Sequence, residues 1–190
     1  MTSRVRDDSW KPKANAAMES WADGDARAGE EVYDLLAPRL NAFLVRRTRA
    51  PELAADLTQE TFLRMHRSRS HFARGTDVAT WAFTIARRLS IDEHRKTRQP
   101  IENERSPPEP PDVLAGRQRL GGRILAELAR LPEGQREAFE LLHFEGLSTA
   151  EAATILGVTR VAIKLRVYKA CRALRLKLGD EVRELLEVPT

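Results

Sequence analysis

The sequence predicts an all-α protein: two small helical domains joined by a Pro-rich linker, the second containing a helix-turn-helix. Three observations carry that expectation. Apolar residues recur at steps of three and four, and no run alternates apolar with polar as a half-buried strand would. The stretch QPIENERSPPEPPD, Gln99 to Asp112, holds five of the ten prolines, so it cannot be helix and buries almost nothing. Finally, GLSTAEAATILGVTRVAIKLRVYKACRALRLKL, Gly146 to Leu178, contains two helix caps on either side of a glycine.

A chain of 190 residues has room for one or two small domains. Its net charge is only +4, yet the sequence pI is about 9.6, which points to basic residues clustered at a local polyanion site. Cys171 is the only cysteine, so no disulfide forms within the chain, as expected in a reducing compartment. It lies beside an apolar stripe and reads as a small buried hydrophobe. No apolar run approaches a membrane span, and MTSRVRDDSWKPK is not a signal peptide. The expected location is cytoplasmic.

The elements follow in order. Met1 to Lys13 is polar and expected to be loose, so the first domain is placed at 14–98. Ala14 to Ala22 suits a short helix, ended by Asp23-Gly24. Ala26 to Ala37 carries Val32, Leu35 and Leu36 at helical spacing. Pro38 either kinks this segment or opens a new one that runs to Arg49 through Leu40, Phe43 and Leu44. Pro51 fits the first position of the next helix, which extends to about Arg69. There Leu53, Ala54, Leu57, Thr61, Phe62 and Met65 share one broad face. Asp56, Gln59, Glu60, Leu63 and Arg67 occupy the opposite arc.

Ser70 to Asp77, SHFARGTD, reads as a turn or loop. A long helix then runs from Val78 to about Arg98, with a core stripe of Val78, Trp81, Ala82, Ile85 and Leu89. Thr84, Arg87, Ile91, His94, Arg95 and Arg98 project elsewhere, and Arg88 and Lys96 flank the stripe. Beyond the linker at 99–112, the second domain is placed at 113–179. Val113 to Arg130 is helical, and Pro132 opens a helix that ends at Gly146.

Ser148 and Glu151 have capping-box spacing, so a helix starts at Thr149. Ala152, Ala153, Ile155 and Leu156 form its apolar face, and Gly157 can stop it in a left-handed conformation. Thr159 then caps a second helix, whose stripe is Ile163, Val167, Ala170, Leu174 and Leu178. Small side chains at 152 and 153 let the two helices approach closely. This is the sequence form of a helix-turn-helix, whose second helix enters a DNA major groove. Seven Lys or Arg and no acid fall between Ala152 and Gly179, which agrees. Glu181 to Val188 reads as a short acidic helical end.

Two longer motifs carry a family resemblance. DLTQETFLRMH, Asp56 to His66, followed by the loop and TWAFTIARRLSIDEHRK, Thr80 to Lys96, resembles the core of bacterial sigma factors. LPEGQREAFELLHFEGLSTAEAATILGVTRVAIKLRVYKACRALR is similar to their −35-binding domain. The short length and direct linker resemble the extracytoplasmic-function (ECF) group. The resemblance implies a promoter-specificity subunit that binds core RNA polymerase through the β′ coiled coil and β flap, binds promoter DNA, and is held inactive by an anti-sigma factor. It implies that Asp56, Gln59, Glu60 and Leu63 dock on polymerase.

The loop and the helix after it correspond to the family's −10-opening part. Strand separation needs a surface for an extruded base and positive charge for the displaced strand. His71, Phe72 and Arg74 suit the first role, and Arg87, Arg88, Arg95, Lys96 and Arg98 the second. On the recognition helix, N-terminal residues reach base edges and later ones reach phosphates. Arg160, Lys164, Leu165 and Arg166 are the residues nearest bases, Lys169 and Arg172 the phosphate contacts, and the cap residue Thr159 is placed at the −35 DNA with them. The family often has serine in place of Leu165; leucine can touch a thymine methyl but cannot donate a hydrogen bond, so the −35 preference is expected to be altered.

No catalytic residues, metal or cofactor are expected. The four histidines lack ligand spacing, one cysteine cannot build a cysteine-type zinc site, and no Gly-rich phosphate loop or nucleophile elbow occurs. A reading of a different class is a stand-alone helix-turn-helix regulator that dimerises. It would carry an α/β ligand or phosphoacceptor domain where this chain is all helix. A serine recombinase is more distant, because its catalytic domain needs strands.

Overall fold

The computed structural model describes residues 9–97 and 117–182. Every regular element among them is helical. The chain divides into two compact units, Met1–Glu104 and Arg105–Thr190, each with its own core. Arg98, the linker at 99–112 and the start of the helix expected at Val113 lie outside the described residues.

The first unit contains α1 (Trp10–Ala22), α2 (Ala26–Thr48), α3 (Pro51–Ser68), a short 3-10 turn (Arg69–His71) and α4 (Val78–Thr97). The first helix begins at Trp10, which corrects the expectation of a loose segment to Lys13 and a domain starting at 14. Trp10 is buried, and the Arg39 guanidinium lies 4.2 Å over its ring. That burial and cation–π contact order the first turn. Asp25 caps α2, accepting the Arg27 N–H at 2.9 Å.

One unbroken helical element contains Pro38. An internal proline costs about 3 kcal/mol of helix stability. Here the buried Leu36, Ala37 and Leu40 on either side offset it by packing. Pro51 stands in the first turn of α3 as expected.

On α3, Ala54, Leu57, Thr58, Thr61, Phe62 and Met65 face inward. The buried face of α4 differs from the expected stripe. Val78, Ala79, Ala82, Phe83, Ala86 and Leu89 are buried, whereas Trp81 and Ile85 are half-buried at its edge. Phe83 determines this orientation. It is fully buried and meets Phe43 of α2 edge-to-face at 5.3 Å, while alanines at 79, 82 and 86 admit the neighbouring helices.

The second unit contains α5 (Arg117–Ala129), α6 (Glu133–His143), α7 (Thr149–Leu156), α8 (Arg160–Leu178) and a closing 3-10 turn (Gly179–Val182). Pro132 caps α6, which ends at His143, three residues before the expected Gly146. Around α7 and α8 the local chemistry is as predicted. Ser148 and Glu151 form a reciprocal capping box, Gly157 sits at φ 65°, ψ 38°, and the Thr159 hydroxyl accepts the Ala162 N–H at 3.2 Å. The α8 stripe Ile163, Val167, Ala170, Leu174 and Leu178 is buried against the other helices of the unit.

Candidate nucleic-acid interface

The recognition helix is built by burying one face and leaving the other bare. With the stripe inward, Val161, Leu165 and Tyr168 are forced outward, at 75, 51 and 60 % exposure. Arg160, Lys164, Lys169 and Arg172 are exposed around them. Such a face offers apolar surface for base edges and charge for phosphates. Thr159 is exposed too, with its oxygen engaged in the cap and its proton free to donate.

Arg166 is half-buried. Its guanidinium lies against the backbone of α6 at Gly134, where a Cβ would come within 3.2 Å of it. It is therefore packed on the neighbouring helix, at the margin of the exposed face.

In the first unit the loop between α3 and α4 leads into a helix that carries exposed basic residues along its length. His71 and Arg74 are exposed and Phe72 is half-buried, its ring 5.4 Å from that of Trp81. Trp81 therefore belongs with the loop rather than in the core, a placement the sequence reading missed. The clue lay in the spacing: Trp81, Arg88 and Arg95 recur every seven residues on one side of α4. Arg88, Arg95 and Lys96 are exposed, the last paired with Glu93 at 3.3 Å. Arg87 is half-buried, and its carbonyl accepts the Ser90 hydroxyl at 2.7 Å, which in turn accepts Arg47 Nε at 2.8 Å.

The loop does not hang free. Arg74 Nη2 meets the Asp23 carboxylate at 2.6 and 2.8 Å, the Gly75 N–H donates to Glu19 Oε1 at 3.1 Å, and the Val78 N–H donates to Asn15 Oδ1 at 2.8 Å.

The third cluster is the outer arc of α3. Asp56 and Gln59 are exposed, Leu63 is 45 % exposed, and Glu60 is half-buried in an ion pair with Arg64 at 2.9 Å. The arc therefore presents one exposed leucine beside an exposed and a half-buried carboxylate.

Cys171, by contrast, is buried 4.0 Å from His143 Nε2. Burial pushes its thiol up, against a smaller opposing pull from Arg175. That keeps it protonated and unreactive at neutral pH. Among the described residues no group of three or more His, Cys, Asp or Glu is arranged to hold a metal ion. None of the described helices is long and apolar enough to cross a membrane.

Both units match one family of known proteins. Residues 32–99 match the family model for sigma-70 region 2, and residues 121–174 match sigma-70 region 4. The RNA polymerase sigma factor CarQ of Myxococcus xanthus is 34 % identical over 86 % of this chain and 96 % of its own length. The ECF RNA polymerase sigma factor SigF of Caulobacter vibrioides is 35 % identical over 88 % of this chain and 96 % of its own length. Among solved structures, the sigma factor RpoE of Bartonella quintana, determined with the anti-sigma factor NepR, has a TM-score of 0.67. It is 26 % identical, covering 79 % of this chain and 97 % of that one.

Proposed function

The chain belongs to the extracytoplasmic-function group of sigma-70 factors, and from that premise we propose how its surfaces divide the work of promoter-specific initiation. The observation that carries the reading is the order of two helical units, a region 2 match followed by a region 4 match that contains a helix-turn-helix. The first unit, 14–98 extended to Trp10, binds core RNA polymerase and opens the −10 element. The segment 99–112 links it to the second, 113–179, which binds the −35 element.

Asp56, Gln59, Glu60 and Leu63 dock on polymerase, with Leu63 as the apolar centre and the carboxylates setting register. His71 and Phe72, joined by Trp81, form the surface for an extruded base, and Arg74 belongs to the same loop. Stacking on such rings is worth about 1–3 kcal/mol per base. Arg87, Arg88, Arg95, Lys96 and Arg98 hold the displaced strand. Arg160, Lys164 and Leu165 reach base edges, Thr159 and Arg166 meet the groove margin, and Lys169 and Arg172 take phosphates. The place of action is the cytoplasm, where core polymerase and DNA are. An anti-sigma factor holds the protein inactive until a signal arrives; the Bartonella sigma factor was determined with such a factor.

Co-purification with core polymerase tests the docking face. Replacing Asp56 and Leu63 together, by Asp56→Ala with Leu63→Ala, is expected to weaken core binding while leaving helicity unchanged, since both side chains are exposed. Undiminished co-purification of the double variant overturns the assignment of this face.

A further inference from the structure

Asn15 and Glu19 of α1 and Asp23, the residue at its C-terminal cap, stand four residues apart and so lie on one side of it. Each holds a different residue of the run from Arg74 to Val78. Asn15 Oδ1 accepts the Val78 N–H at 2.8 Å and Glu19 Oε1 accepts the Gly75 N–H at 3.1 Å. Both Asp23 oxygens meet Arg74 Nη2, at 2.8 and 2.6 Å. The Val78 N–H is one of the donors that a helix start leaves unpaired, so α1 caps α4 from outside. Gly75, in the middle of the run, has φ +78°, which few other residues adopt. The loop therefore has a definite shape, and α1 fixes it at three points. The region 2 match begins at residue 32, so this helix lies before it.

We propose that Asn15, Glu19 and Asp23 are positioning residues that hold the loop 72–77 in the shape that receives an unpaired base. Arg74 then acts as a strut to α1 and not as a ligand of the DNA backbone. The proposal rests on reading this loop as the −10-opening element. Arg74 suits the role because its Nη2 reaches both Asp23 carboxylate oxygens in a charge-assisted contact across 51 residues of chain. Phe72, two residues earlier, already leans on Trp81. Pinning Arg74 and Gly75 keeps Phe72 from swinging away from that ring.

The test uses holoenzyme assembled from the full chain and purified core RNA polymerase. The probe is a short single-stranded oligonucleotide carrying the −10 non-template strand of a promoter that this holoenzyme transcribes. Asp23→Ala and Arg74→Ala are each expected to weaken strand binding about twofold to fivefold, as for loss of one exposed charge pair. The double variant is no worse than either single, and the salt dependence is unchanged. The charge swap, Asp23→Arg with Arg74→Asp, recovers most of the lost affinity. Glu19→Ala weakens binding, whereas Glu19→Gln, which keeps the acceptor, does not. If Arg74 meets a phosphate instead, Arg74→Ala lowers the salt slope by about 0.7 and the swap binds worse than either single variant; that result overturns the strut. Amide exchange of Gly75 and Val78 in the free chain separates the two premises. No acceleration in Glu19→Ala or Asn15→Ala overturns the positioning role itself. Faster exchange with unchanged strand binding leaves the contacts standing and overturns the −10 reading of the loop.

Discussion

The distinction between Leu165 and Lys169 is the sharpest consequence of how α8 is oriented. With a rise of 1.5 Å per residue, Leu165 lies about 8 Å and Lys169 about 14 Å from the start of the helix. The B-DNA major groove is about 12 Å wide, so a helix entering by its N-terminus brings Leu165 among base edges and Lys169 to the phosphate wall. Leu165 is 51 % exposed and lies off the buried stripe, so Leu165→Ser alters folding stability by no more than about 0.5 kcal/mol. A change in binding then reports on DNA alone.

Serine exchanges a methyl contact for a hydrogen bond. Leu165→Ser should therefore shift preference at one −35 position by about 1 kcal/mol, roughly fivefold, at the low end for a single base contact. Lys169→Ala should weaken binding to every sequence alike and reduce the salt slope by about 0.9. The assay is affinity of the holoenzyme for single-substituted −35 duplexes at two salt concentrations. Uniform weakening by Leu165→Ser, or altered preference in Lys169→Ala, would show that α8 meets the groove with another face.

Two further predictions concern the scaffold. In α2, a Cβ at Gly29 would lie 2.6 Å from Trp21 Nε1, so the buried indole must shift; overpacking of this kind costs about 1–3 kcal/mol and offsets the roughly 1 kcal/mol that alanine gains in a helix. Gly121 in α5 has nothing within 4 Å, so Gly121→Ala should stabilise its unit by about that helical gain, whereas Gly29→Ala should leave the first unit less stable. All three tryptophans lie in the first unit, so fluorescence melts follow it alone; a raised midpoint for Gly29→Ala refutes the packing argument. Cys171 has its folded pKa raised above the ordinary 9.0, so its contribution to stability is complete at neutral pH and is lost as pH rises through the raised value. Urea melts against pH should fall more steeply on the alkaline side for this protein than for Cys171→Ala, and iodoacetamide at neutral pH should modify the native chain far more slowly than the unfolded one.

Local chemistry is what the sequence makes legible. The Ser148–Glu151 box, the left-handed Gly157 and the Thr159 cap depend on neighbours within a few residues, and each is where the pattern puts it. The outward arc of α3 and the bare face of α8 follow from period alone. What escaped depends on distant partners. The rotation of α4 is governed by Phe83 meeting Phe43, forty residues away in the chain. Trp10 joins the core through Arg39 of another helix. Glu137, Glu140 and Glu145 are buried although their charge argues for the surface. The anchors of the loop come from α1, between 51 and 63 residues earlier, and no local pattern announces them.

The most direct test of the central claim is run-off transcription with purified core RNA polymerase on fragments of the host genome. Adding the full chain is expected to produce discrete transcripts from a small set of promoters, each carrying a shared −35 and −10 sequence, that core polymerase alone does not make. Transcripts identical with and without the chain, at concentrations that saturate core, would contradict the assignment of promoter selection to this protein.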